Sequence, residues 1–253
     1  FWLKPCWLSL RAWLRRGAHV PGRAGARARA QSGAMLGCLP SFGGASSPDQ
    51  IVMFGLEGSG KTTFLYRLKL PGWSTITTAL EEVRQAGDDP GYHYEEFTSP
   101  YLRSFGIWDV PGSAAMIPLW PMFYRYVKVE AVFFVVNGSD AFLKKEDKIT
   151  EIGRHIATLL NEDELRKSSF ILIINDFESS EGEEQRSERD KVRRGNDHTN
   201  WQAFRDILGI RRFEEDYSNF KAVHMNCAKV SESNETWRQI LSFVAENKLA
   251  NSE

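Results

Sequence analysis

The segment GLEGSGKT at residues 55–62 constrains the fold more than any other feature of this chain. It matches the phosphate-loop pattern G-x-x-x-x-G-K-[ST] at every fixed position. The apolar segment IVMFG leads into the loop, and TTFLYRLKL, whose composition suits a helix, follows it. Strand, loop and helix in this order predict a phosphate-binding loop at the end of a strand.

The residues of this loop have distinct expected roles. Glycine allows backbone angles and a close approach that a Cβ would block, so that successive amides can converge on a phosphate at a helix N-terminus. Lys61 would reach the outer phosphates, and the Thr62 hydroxyl would ligate Mg²⁺. The predicted nucleoside triphosphate site consists of Gly55, Leu56, Glu57, Gly58, Ser59, Gly60, Lys61, Thr62 and Thr63.

Apolar runs alternate with segments of helical period over residues 49–250, which predicts one α/β domain there. Apolar stripes over residues 149–160 and 237–244 indicate amphipathic helices. The predicted fold is that of a P-loop NTPase, with a mostly parallel sheet of five to six strands and helices on both faces. A polar, mixed-charge loop is predicted over Glu178–Asn200. The predicted strands are Gln50–Gly55, Ser104–Val110, Ala131–Asn137, Phe170–Asn175 and Ala222–Asn226.

The composition excludes several classes of protein. Hydrophobic residues make up 42% and charged residues 26% of the chain, as in globular domains, and no apolar run approaches the roughly 18 residues that span a bilayer. The three cysteines are widely spaced, which favours a reducing compartment over a disulfide framework. Residues 1–48 contain basic residues and no acidic one, so the remainder is acidic overall. An acidic body argues against nucleic-acid binding.

Residues 1–48 form a basic, low-complexity N-terminal extension. Within it, residues 1–34 are arginine-rich and contain no acidic residue, and Met35 is the first methionine. An organelle-targeting leader and a translated upstream stretch outside the mature protein both fit this pattern. The GASSP segment near residue 48 predicts a short linker into the folded domain.

A second motif, Asp109-Val110-Pro111-Gly112, lies at the end of the predicted strand SFGIWDV. An aspartate in this position can hold Mg²⁺, usually through a water, and the Gly112 N–H can bond the γ-phosphate. The motif is common by itself. At the carboxyl end of a strand that follows a phosphate loop, it indicates the γ-phosphate side of the same site.

These segments together resemble the ADP-ribosylation factor (Arf) family of small GTPases. The resemblance covers residues 50–248 and rests on GLEGSGKTTFLYRLKL, IWDVPGS, PLW, VFFVVNGSD, LLNEDELRKSSFILIIND and HMNCAKVSE. NEDELR shortly before an apolar strand, and WDV-x-G followed by PLW, separate this family from Ras-like, Rab-like and ATP-using relatives. The resemblance implies GTP or GDP bound together with Mg²⁺.

The resemblance also implies a guanine site, from which this chain departs. The family's Asn-Lys-x-Asp motif aligns with Asn175-Asp176-Phe177-Glu178, and the Ala228 amide would face the guanine oxygen. Asp176 replaces a lysine whose aliphatic stem would cover the base, and Glu178 is one methylene longer than the family's aspartate. We therefore expect the preference for guanine to be weakened or lost.

A further departure concerns hydrolysis. The family's Asp-Val-Gly-Gly-Gln motif ends here in Ser113, which makes the catalytic position degenerate, because serine cannot orient the attacking water as glutamine does. Pro111 also lacks an N–H, although Gly112 keeps its own. We expect intrinsic hydrolysis to be slow.

The switch region differs as well. A threonine should close on Mg²⁺ when the γ-phosphate is bound; Thr75, Thr77 and Thr78 are available, and we favour Thr78. The chain from there to Asp109 is longer than in typical members of the family. Its segment GDDPGYHYEEFTSP predicts an extended hairpin or a loop.

The resemblance implies a guanine-nucleotide switch in membrane trafficking, with effectors, exchange factors and activating proteins as partners. The alternative is a non-hydrolysing, nucleotide-bound scaffold similar to the β subunit of the signal-recognition-particle receptor. A third hypothesis, an ATP-using P-loop kinase, lacks an evident acidic substrate site or arginine-rich lid.

The expected location is cytoplasmic, with peripheral contact to an organelle membrane as an option. Leu36 follows Met35, so the Met-Gly start required for myristoylation does not occur there. Cys38 within LGCLPSF could be palmitoylated, but one short apolar stretch binds a membrane only marginally. A disordered lead-in is the competing interpretation.

Overall fold

A computed structural model of the chain describes residues 47–72, 91–176 and 198–252. Within these ranges, the strands are β1 (Asp49–Phe54), β2 (His93–Ser99), β3 (Arg103–Asp109), β4 (Val129–Asn137), β5 (Ser169–Asn175) and β6 (Phe220–Met225). These six strands form one sheet in the order β2-β3-β1-β4-β5-β6. The hairpin strand β2 runs antiparallel to β3, and all other neighbours are parallel.

Helices connect and cover these strands. Two of them begin at side-chain caps: Ser139 accepts from the Phe142 N–H at 3.3 Å, and Asn234 accepts from the Trp237 N–H at 3.0 Å, as expected of N-cap residues. Short 3₁₀ turns span Ile117–Leu119 and Asp163–Leu165. The helices are α1 (Lys61–Lys69), α2 (Trp120–Tyr126), α3 (Asp140–Leu143), α4 (Glu146–Leu160), α5 (His198–Ile207), α6 (Ile210–Asp216) and α7 (Glu235–Ala250).

The core lies on both faces of the sheet, because successive strand residues point to opposite sides. In β1, Val52 belongs to the cluster that contains the α4 stripe, whereas Met53 belongs to the cluster that contains the α7 stripe. Buried strands with apolar residues on both faces explain the continuous apolar runs of the sequence. The P-loop NTPase fold with helices on both faces is thus confirmed.

All five predicted strands are present, with ends that differ by one or two residues. The strand β1 ends at Phe54, one residue early, because Gly55 has a φ of 144° that no strand residue adopts. Conversely, β3 begins at Arg103 and β6 at Phe220, before the apolar runs that the sequence shows. The ends of Ser104–Val110 and Ala222–Asn226 were therefore misplaced.

Two predictions about connecting segments have clear outcomes. The segment before β3 does form a hairpin, since β2 pairs with β3 from His93↔Asp109 to Ser99↔Arg103. The polar loop predicted over Glu178–Asn200 was too long at its C-terminal end, because α5 already begins at His198. Charge composition alone did not mark that helix start.

The order and direction of the strands determine where a ligand can bind. The parallel strands β1, β3, β4, β5 and β6 have their carboxyl ends at one edge of the sheet, and ligands of open α/β sheets bind outside that edge. Within the described ranges, no helix combines the length and the apolar composition needed to cross a bilayer.

Candidate nucleotide-binding site

The phosphate loop connects β1 to α1 in a backbone conformation that glycine makes possible. The φ angles of Gly55, Gly58 and Gly60 are 144°, 75° and 96°. At Gly55, a Cβ would also lie 2.2 Å from the Val135 carbonyl oxygen of β4. The loop therefore fits against the sheet only because this position has no side chain.

Lys61 is the buried cation of the loop, with 6% of its surface exposed. Its ammonium donates to the carbonyl oxygens of Gly55 (2.8 Å) and Leu56 (3.1 Å) and to Ser59 Oγ (3.3 Å). Burial lowers the pKa of Lys61, although the charges of Asp109 and Glu57 oppose this shift. A buried ammonium whose three acceptors are all neutral has charge to offer to an anion such as a phosphate.

Thr62 and Asp109 meet where the predicted Mg²⁺ would bind. The Thr62 hydroxyl donates to Asp109 Oδ2 at 2.5 Å. Asp109 is buried, and its second oxygen, Oδ1, is buried without a hydrogen-bond partner among the described residues. A buried carboxylate oxygen that lacks a partner is costly, and hard oxygen ligands of this type suit Mg²⁺. The two side chains therefore fit a magnesium ion and its waters.

The segment after β3 lies directly on the phosphate loop. The Gly112 carbonyl accepts from the Glu57 N–H at 3.0 Å, and a Cβ at Gly112 would lie 1.9 Å from the Gly55 carbonyl oxygen. The Trp120 indole of α2 donates to the Pro111 carbonyl at 3.0 Å. Gly112 is thus held beside Glu57 of the phosphate loop, on the side of the loop where the γ-phosphate is predicted to bind.

At the other end of the site, Asn175 joins three segments. Its side-chain Nδ2 donates to the Ser59 carbonyl (2.9 Å), and its Oδ1 accepts from the Cys227 N–H (2.9 Å). Asp176 follows with a half-buried side chain, and its N–H donates to the Met225 carbonyl at 3.0 Å. The loops after β5 and β6 and the phosphate loop therefore form one contiguous surface.

The predicted residues that the structure brings together share the carboxyl edge of the sheet. Ser113 begins the turn into α2, since its carbonyl accepts from the N–H groups of Met116 and Ile117. Thr78, Phe177 and Glu178 lie outside the described residues, so their roles stay predictions. The residues assembled at this edge are Gly55, Leu56, Glu57, Gly58, Ser59, Gly60, Lys61, Thr62, Thr63, Asp109, Gly112, Asn175, Asp176 and Ala228.

Three residues of the site were missed by the sequence analysis. Asn137 ends β4 and donates to the Gly58 carbonyl at 3.4 Å, and Trp120 holds Pro111. Asn226 accepts from the Ala228 N–H at 2.9 Å through its Oδ1. Asn137 and Asn226 both directly follow apolar strand residues, so a polar residue at a strand's carboxyl end was the available signal. Trp120 carried no such signal.

The fold and this geometry define a P-loop nucleotide-binding protein. The sequence profile of the ADP-ribosylation factor family matches residues 35–204. The chain therefore belongs to the ADP-ribosylation factor family and is a small GTP-binding protein.

A solved structure supports the fold. The chain is similar to the Arl6 BBS3 small GTPase from Trypanosoma brucei, which was determined with the bound nucleotide analogue GppNp. The TM-score is 0.51 at 20% sequence identity, and the match covers 79% of this chain and 98% of that one.

Proposed function

We propose that this protein is a magnesium-dependent guanine-nucleotide switch with slow intrinsic hydrolysis that acts in membrane trafficking. The observation that carries the proposal is the buried Lys61 ammonium beside the Thr62–Asp109 pair at the mouth of the phosphate loop. A cation and a metal-ligating pair in this arrangement suit the β- and γ-phosphates of a nucleoside triphosphate.

The metal would be held chiefly by Thr62, with Asp109 acting through a water. When bound, Mg²⁺ would neutralise charge on the β- and γ-phosphates. In the part of the chain that the structure describes, the buried Asp109 Oδ1 has no hydrogen-bond partner, which supports a ligand or a metal-bound water there. Thr78 is proposed as the switch threonine that completes this shell.

Slow hydrolysis follows from the residue types near Gly112. Ser113 stands where the family has glutamine, and the next two residues are alanines. Two polar residues of β2 already contact α1: His93, the cross-strand neighbour of Asp109, has its Nδ1 2.9 Å from the Tyr66 hydroxyl, and Glu95 pairs with Lys69 at 3.1 Å. If no group outside the described residues orients the water, turnover depends on a partner protein.

A surface beside the site suits a protein partner. Tyr92, Trp108 and Phe123 are half-buried and form an aromatic cluster, with ring centroids 5.9–6.4 Å apart. Trp108 directly precedes Asp109 in β3, so this cluster lies near the same end of the strand but on the opposite face of the sheet from the Asp109 side chain. On α2, Met122 and Tyr126 are 57% and 83% exposed. Exposed aromatic and methionine side chains are typical of protein interfaces, which favours effector binding here.

Cytoplasmic location, with peripheral contact to an organelle membrane, is part of the proposal. It is supported by membership of the family and by the short apolar segment around Cys38. One such segment supports only weak membrane association, so a partner protein would have to contribute to recruitment.

A second candidate is a non-hydrolysing scaffold whose nucleotide is structural. Ser113 in the catalytic position favours it, because a scaffold needs no turnover. The nucleotide extracted from the purified full chain separates the two candidates. Bound GDP that exchanges readily for added GTP supports the switch. Bound GTP that is retained through gel filtration and is not hydrolysed supports the scaffold. Protein that binds no guanine nucleotide in Mg²⁺ contradicts both.

A further inference from the structure

In the loop after β6, backbone N–H groups are hydrogen-bonded to acceptors within the protein. The Cys227 N–H donates to Asn175 Oδ1, and the Lys229 N–H donates to the Asn226 carbonyl at 3.1 Å. Between them, the Ala228 N–H donates to Asn226 Oδ1 at 2.9 Å. Three consecutive N–H groups are therefore engaged within the protein at the place where the guanine oxygen is expected to bind.

We infer that Asn226 is a base-selectivity residue, whose side-chain oxygen occupies the Ala228 N–H and so opposes binding of a purine O6. This inference rests on the proposed nucleotide site. The O6 atom of guanine is only an acceptor, and it needs a donor in this position. Asn226 Oδ1 is also an acceptor, so the two oxygens compete for a single N–H. The 6-amino group of adenine is a donor and could instead approach Asn226 Oδ1.

The surroundings of Ala228 leave few ways to relieve this competition. The loop is fixed from the β5 side, because Asn175 holds Cys227 and the Asp176 N–H holds the Met225 carbonyl. Cys227 itself is fully buried. Movement of the Asn226 side chain, which is only half-buried, is therefore the simplest way to free the Ala228 N–H. That movement breaks the hydrogen bond between the Ala228 N–H and Asn226 Oδ1 and lets O6 form one with the same N–H. The net gain in binding free energy is therefore small.

Base analogues separate this effect from the departures at Asp176 and Glu178. Glu178 is expected to face N1 and the 2-amino group and Asp176 the plane of the base, whereas Asn226 acts only on the 6-position. Inosine triphosphate keeps O6 and lacks the 2-amino group. 2-Aminopurine riboside triphosphate keeps the 2-amino group and lacks O6. The 2-aminopurine nucleotide also lacks the N1–H, so the contribution of O6 is isolated by the change in the ratio of GTP to 2-aminopurine nucleotide affinity when only Asn226 is altered.

The test is calorimetric titration of the full chain with GTP, inosine triphosphate, ATP and 2-aminopurine riboside triphosphate in Mg²⁺. Asn226→Ala, which frees the Ala228 N–H, should tighten GTP and inosine triphosphate by about threefold to tenfold and leave the 2-aminopurine nucleotide unchanged. Asn226→Asp is the matched control. It keeps an acceptor beside the Ala228 N–H, so GTP and inosine triphosphate should not bind more tightly.

Each outcome decides between the inference and the proposed function. Asn226→Asp tightening GTP as much as Asn226→Ala does would overturn the inference, because aspartate keeps an acceptor beside the Ala228 N–H. An unchanged ratio in Asn226→Ala, or in the similarly shaped Asn226→Leu if alanine unfolds the loop, would overturn it as well. If none of the four triphosphates binds the native protein, the proposed function fails and the inference fails with it.

Discussion

At the phosphate end of the site, Lys61 and the Thr62–Asp109 pair retain the chemistry that a triphosphate requires, whereas at the base end Asp176 stands in place of lysine and the Ala228 N–H is engaged by Asn226. The phosphate end depends largely on backbone amides, glycines and one buried cation. The base end depends on side chains that a few substitutions can change. Phosphate binding and base selection are therefore separable properties of this protein.

Loss of the buried cation should produce the largest effect on the phosphate end. Lys61→Ala removes the charge that counters the β- and γ-phosphates, so triphosphate affinity should fall by about tenfold or more, or roughly 1.4 kcal/mol per decade. Calorimetry with GTP in Mg²⁺ measures the change. Lys69→Ala, at the other end of α1 and paired with Glu95, is the control and should bind normally. Unchanged affinity in Lys61→Ala would show that this loop is not the phosphate site.

Removal of the metal should weaken triphosphate binding by up to about tenfold, because Thr62 and Asp109 would hold an ion that neutralises charge on the phosphates. Titration of GTP in excess EDTA and in excess Mg²⁺ gives the ratio. In Asp109→Asn, which keeps the shape of the side chain but loses its charge, this ratio should shrink. A native protein whose affinity is the same with and without Mg²⁺ would contradict the proposed metal site.

Repair of the guanine motif should sharpen base selection without altering phosphate binding. In Asp176→Lys combined with Glu178→Asp, we expect the ratio of GTP to ATP affinity to rise by about threefold to tenfold, as charge-assisted hydrogen bonds of ordinary geometry become available. Asp147→Lys, an exposed position on α4, has the same change of charge as Asp176→Lys and should leave the ratio unchanged. If the native protein already has the same ratio of GTP to ATP affinity as the repaired variant, the guanine motif of the native protein is not weakened.

The smallest effect is expected at Ser113. Ser113→Gln supplies a group that can orient water, but without an arginine from a partner we expect only about a threefold rise in the single-turnover rate. Turnover of γ-labelled GTP over hours is the measurement, and Ser113→Ala is the control that should match the native rate. A native rate equal to that of Ser113→Gln, and unaffected by Ser113→Ala, would mean that another residue positions the water.

The phosphate end could be predicted from the sequence because its determinants are contiguous. The loop motif fixes the backbone at Gly55 and places Lys61 and Thr62 on the first turn of α1, and the Asp109 motif directly follows an apolar strand run. The strands were predictable for a similar reason, since burial on both faces requires unbroken apolar runs.

The base end was less predictable because its contacts join distant segments. Asn175 lies 52 residues from Cys227 and 116 residues from Ser59 along the chain, and no local pattern reveals such pairings. The role of Asn226 depends on where its Oδ1 points, which a spacing rule does not give. Trp120 was visible only as part of PLW, and its bond to the Pro111 carbonyl appears only in the folded chain.

The most direct test of the separation between the two ends is the affinity of the native full chain for GTP and for ATP, measured by calorimetry under identical conditions in Mg²⁺. An intact phosphate end with an altered base end predicts that both nucleotides bind and that their dissociation constants differ by no more than about tenfold, or 1.4 kcal/mol. A preference for GTP of about a thousandfold or more, or no binding of either nucleotide, would contradict it.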